Sequence, residues 1–102
     1  MAAGFEIAGV VNSADEAERV ALSERPDLVV MDVRLVGKRD GIDAAIEIYR
    51  NAGIRSIFAT AHADARTRNR AEAAKPLGWL AKPYGMESLA ALVRDAVTEI
   101  RS

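Results

Sequence analysis

The 102-residue sequence contains no cysteine. This excludes a disulfide scaffold, a thiol nucleophile and any thiolate metal site, and it fits a cytoplasmic home. It has no excess of one charge either. Fourteen basic and 15 acidic side chains leave a formal net charge of -1, so no strongly basic nucleic-acid surface is indicated. No uninterrupted apolar run reaches about 18 residues, which excludes a membrane span. The start, Met1-Ala2-Ala3-Gly4-Phe5-Glu6, lacks the basic and apolar regions of a signal peptide. Neither the glycine-rich phosphate loop of nucleotide-binding proteins nor the dinucleotide fingerprint of alternating glycines occurs. A single histidine, His62, makes no metal site by itself and reads as a surface loop residue.

What is present is a folding sequence. Half the residues are hydrophobic and 28% are charged, which argues against whole-chain disorder and is enough for one domain spanning 1–102. Short apolar runs alternate with longer helical patterns. Strands are expected near 5–11, 28–31, 56–60 and 78–81. Ser13 with Glu16 three residues on matches a helix-capping pattern, so a helix starts at Ala14 and stops near Arg25, before Pro26. Ile42, Ala45, Ile46 and Tyr49 set a second helix from about Gly41 to Asn51, with Gly53 as its stop. The stretch Ala61 to Lys75 has helix formers but a thin apolar stripe, so a small or mobile helix is expected there. Leu89, Leu92, Val93, Ala96, Val97 and Ile100 form the clearest stripe, within a last helix over Met86 to Ile100. Four strand–helix units imply a three-layer α/β/α domain with a doubly wound parallel sheet.

Such a sheet presents its chemistry at the carboxyl ends of its strands. Three predicted strands end in Asp32, Thr60 and Lys82. A carboxylate nucleophile, a hydroxyl donor and an ammonium group suit phosphoryl chemistry. Each residue singly reads equally well as a strand terminus. Arg66, Arg68, Arg70 and Lys75 form a basic run that reads first as a solvated helix face, and Lys38-Arg39-Asp40 reads as a charged turn or a contact for a phosphodonor protein.

The motifs Leu28-Val29-Val30-Met31-Asp32-Val33-Arg34-Leu35, Thr60-Ala61 and Lys82-Pro83-Tyr84, with Gly41 and Trp79 between them, carry a resemblance. In this order the chain resembles the CheY-like receiver domain of two-component response regulators. The resemblance implies a flavodoxin-like fold and a phospho-accepting Asp32 assisted by Thr60 and Lys82. It implies Mg²⁺ held by Asp32 and the backbone carbonyl of Arg34, and a switch or interface role for Trp79, Pro83 and Tyr84. The Lys82–Pro83 bond resembles one that is cis in many receivers. The implied partners are a histidine kinase or phosphotransfer protein and a second copy of the chain in a homodimer. No nucleic acid, membrane or enzyme activity is implied.

The sequence departs from the pattern at its start. The family's first strand, the acidic pair that ends it and the first helix have no counterpart before Gly4-Phe5. The expected domain is therefore truncated to about four strands and four helices, with Mg²⁺ binding weak or absent. Asp15-Glu16 lies in a helix and cannot replace the acidic pair by position. Closure of the sheet over the gap, filling by another subunit and marginal stability all remain open outcomes. Three functions follow: a phosphorelay receiver accepting a phosphoryl group on Asp32 in its intact form, a phosphorylation-independent interaction module of the same fold, and an unrelated small hydrolase or flavodoxin-like binding domain.

Overall fold

A computed structural model describes residues 7–8, 13–34 and 38–101. In chain order the elements are β1 (Ile7–Ala8), α1 (Ala14–Glu24), β2 (Leu28–Asp32), α2 (Gly41–Ala52), β3 (Arg55–Thr60), α3 (Ala65–Ala71), a 3-10 turn (Glu72–Ala74), β4 (Gly78–Ala81) and α4 (Met86–Arg101). Of the first expected strand, 5–11, only Ile7 and Ala8 fall within the described residues.

The local signals act where the side chains place them. Ser13 accepts a hydrogen bond from the Glu16 backbone and starts α1. Asp40 starts α2 through a reciprocal capping box with Asp43. Gly53 ends α2 in the left-handed region at φ 70°, where a side chain would be strained. The Lys82–Pro83 peptide is cis.

The sheet has the order β1-β2-β3-β4, and every pairing is parallel. Its β1 pairs directly with β2, Ile7 opposite Leu28 and Ala8 opposite Val29. Of the outcomes open from the sequence, this is closure over the gap. In β2 and β3 alternate residues face opposite layers, and both layers are apolar. Val29, Met31 and Phe58 lie with Ala17, Ile42, Ala45 and Ile48 beneath α1 and α2. Leu28, Val30, Ile57 and Ala59 lie with Leu80 and Ala96 beneath α4. Burial on both faces is why these strands read as continuous apolar runs rather than as alternating ones.

The fold thus brings the carboxyl ends of β2, β3 and β4 to one edge. One glycine is required there. A Cβ on Gly41 would lie 1.9 Å from the Asp32 carbonyl oxygen, so α2 begins pressed against the backbone of the residue that ends β2. The Gly41 amide also donates to the Val33 carbonyl at 2.8 Å.

Candidate functional site

Asp32, Thr60 and Lys82 line a common cleft of about 340 Å³ with Arg34, Ala61 and His62. Parallel register explains the convergence: Asp32 pairs with Ala59, and Thr60 pairs with Ala81, so the three residues stand at successive strand ends. The Lys82 ammonium donates to one Asp32 carboxylate oxygen. The other oxygen accepts the Arg34 amide at 3.0 Å, which tightens the turn after β2.

Thr60 is at the cleft, but its hydroxyl is already engaged. It donates to the His62 carbonyl and accepts from the His62 amide, both at 3.1 Å. This local turn aims the hydroxyl into its own loop. His62 itself is exposed, as the sequence implies.

Trp79 is half-buried on β4, its ring 5.0 Å from Phe58. Tyr84 is 37% exposed and Met86, at the start of α4, is 78% exposed. Pro83 lies between Lys82 and these two exposed side chains, itself exposed.

Two charged stretches, the exposed run on α3 and the charged turn at 38–40, also make contacts across elements. The run Arg66, Arg68, Arg70 is not uniformly a solvated face. Arg70 forms a two-oxygen ion pair with Asp40, 2.5 Å to Oδ2, and its guanidinium lies 3.9 Å from Asp43. The Arg68 guanidinium sits 5.0 Å over the Trp79 ring and donates to the Ala63 carbonyl at 3.1 Å. In the turn at 38–40, Arg39 pairs with Glu18 at 2.5 Å and Asp15 at 3.1 Å on α1, while Asp40 caps α2. Burial raises the pKa of the Asp40 carboxyl, but hydrogen bonds from Arg70 and from the Asp43 and Ile42 amides outweigh it and leave the group below its ordinary value. Sequence reasoning missed Arg68 and Arg70 as contact residues. Their partners are distant in sequence, and no local pattern marks such pairs.

Among the described residues the cleft's donor set does not fit Mg²⁺. That ion needs a near-octahedral set of oxygens. Asp32 is the one carboxylate lining the cleft among the described residues, and it is bonded to Lys82. Among the described residues no three His, Cys, Asp or Glu side chains gather to hold a metal.

A parallel α/β domain with aspartate, threonine and lysine at adjacent strand ends defines a class, and comparison with known proteins gives it a family. Residues 2–94 match the response regulator receiver domain, and the chain belongs to that family. It is 36% identical over 98 residues to the transcriptional regulatory protein PdtaR of Mycobacterium tuberculosis, covering 96% of this chain and 47% of that protein. The chain thus spans about half the length of that relative. It is 33% identical over 95 residues to the chemotaxis protein CheY of Halobacterium salinarum, covering 92% of this chain and 78% of the relative. A similar solved structure is the signal receiver domain of a modulated diguanylate cyclase from Desulfovibrio desulfuricans, described as an example of alternate folding. It superposes with a TM-score of 0.82 at 32% identity, over 96% of this chain and 78% of that one. Relative to the five-stranded form of the fold, the described sheet is short by one strand. As a member of this family the chain is a signalling module, not an enzyme. Among the described residues no helix is long and apolar enough to cross a membrane.

Proposed function

We propose that this chain acts as a receiver-fold interaction module that engages protein partners without phosphorylation of Asp32. One observation carries the reading: the single carboxylate lining the cleft among the described residues is bonded to Lys82. A carboxylate attacks a phosphoryl group effectively only when the charge on that group is neutralised. Here, among the described residues, the one ammonium group at the site is bonded to the nucleophile, and the donor set is too small for a divalent ion. The exposed side chains Tyr84 and Met86, beside β4 and at the head of α4, supply the contact surface, and a second copy of the chain is the first partner to test.

Light scattering over a concentration series, with and without Mg²⁺ and a small-molecule phosphodonor, tests this. The expected result is self-association that is the same in both conditions and in Asp32→Asn, and that weakens in Tyr84→Ser with Met86→Ser. Association that appears only with the phosphodonor and vanishes in Asp32→Asn overturns the reading.

A second reading is favoured by the convergence itself. Asp32, Thr60 and Lys82 line one cleft. In this reading, an Asp32 carboxylate oxygen would attack the phosphorus of a phosphohistidine on a histidine kinase or phosphotransfer protein. The new O–P bond would form as the P–N bond breaks, and the electron pair would return to the imidazole.

A further inference from the structure

We infer that residues 61–70 form a flap, hinged at Ala71 and Ala74 and held shut by a clasp of two arginines, Arg68 and Arg70. It is a conformational device independent of phosphorylation. The flap begins at the loop after β3 and includes most of α3. From Ala61 to Arg70 none of its residues is buried; Ala63 and Thr67 are half-buried and the rest exposed. The first fully buried side chains after β3 are Ala71 and Ala74, each at 0% exposure. These two methyl groups anchor the far end of the segment against α2, in the same apolar cluster as Ala45 and Ile48.

Apolar burial therefore supplies little of what holds the near end, because a methyl group removes little surface from water. Charged contacts hold it instead. Arg70 reaches to Asp40, the cap of α2, and Arg68 lies on Trp79 of β4. One contact ties the flap to the element following β2, and the other ties it to β4. The guanidinium suits both tasks, because its planar fork matches a carboxylate and its face stacks on an indole. Beneath the flap is a polar cleft of about 370 Å³, lined by Val33, Arg34, Asp40, Thr60, Thr67 and Arg70 among others. It adjoins the Asp32 cleft through the shared residues Arg34, Thr60 and His62. Release of the clasp would widen the first cleft without breaking a strand pairing.

Partly exposed ion pairs weaken with added salt, whereas apolar packing does not. This difference separates a flap from a helix that opens only when the whole domain unfolds. Hydrogen exchange read by mass spectrometry on the full chain tests the proposal, at about 50 mM and about 500 mM NaCl. In Arg70→Gln the amides of residues 65–71 should exchange about tenfold faster, while those of β2 and β3 keep their wild-type rates. Arg70→Lys should fall between, since a point ammonium lacks the two-oxygen fork. Arg68→Gln should also speed exchange in the flap and shift the emission of Trp79, the sole tryptophan. Arg66→Gln, on the same helix, should match wild type. High salt should move wild type toward Arg70→Gln. Flap amides that ignore salt and Arg70→Gln, or that speed up only together with β2 and β3, overturn the clasp. An equal effect from Arg66→Gln overturns the assignment to Arg68 and Arg70.

Discussion

At the scale of single residues, two polar groups stand out because of how they are satisfied. Ser56 is fully buried in β3, and its hydroxyl has no hydrogen-bond partner among the described residues. A buried hydroxyl without a partner loses its water and gains nothing in return. Ser56→Ala is expected to stabilise the domain by about 1 kcal/mol, read from urea denaturation. A loss of stability would mean that the hydroxyl has a partner in solution. Asp40 is the opposite case, since it is bonded to Arg70 and to backbone amides and its pKa lies below the ordinary value of 3.8. The unfolded chain therefore takes up this proton at a higher pH than the folded one. The stability due to Asp40 is complete above about pH 4 and is lost as the pH falls through its folded value. Urea midpoints measured downward from pH 6 should fall more steeply below about pH 4 in wild type than in Asp40→Asn. Parallel curves would show that Asp40 is not the group responsible.

At the scale of elements, α1 packs on α2 through small side chains. Ala14, Ala17 and Ala21 are all buried on the inner face of α1, and Ala44, Ala45 and Ile48 are buried on α2. Alanine lets the two helices approach closely and leaves no room for branched side chains. Ala17→Leu is expected to cost about 2 kcal/mol through overpacking, again from denaturant unfolding. An unchanged midpoint would indicate a looser contact between the helices.

The elements were largely legible in the sequence because their signals are local. Ser13 and Gly53 each mark a helix end from their own side chain or lack of one, and Leu28-Val29-Val30-Met31 marks a strand buried on both faces. The extent of β1 beyond Ile7–Ala8 lies outside the described residues. What could not be read was contact between elements. The basic run on α3 looked like a solvated face because nothing near Arg70 in sequence announces Asp40, thirty positions earlier. The Thr60 hydroxyl looked available to the cleft because its turn with His62 depends on loop geometry rather than on residue type.

At the scale of the whole molecule, the sheet closes by pairing β1 directly with β2, and the candidate site keeps its three strand-end residues with a single carboxylate among them. The site was legible because parallel register converts strand-end positions in the sequence into neighbours in space. Its state was not legible, since the bond from Lys82 to Asp32 is a matter of side-chain placement. That bond underlies the proposed phosphorylation-independent role. Its most direct test is the intact mass of the chain after incubation with Mg²⁺ and acetyl phosphate, run beside Asp32→Asn. The account predicts that both chains keep their unmodified mass over a long time course. Rapid, Mg²⁺-dependent gain of one phosphoryl group by the wild-type chain, absent from Asp32→Asn, would contradict it.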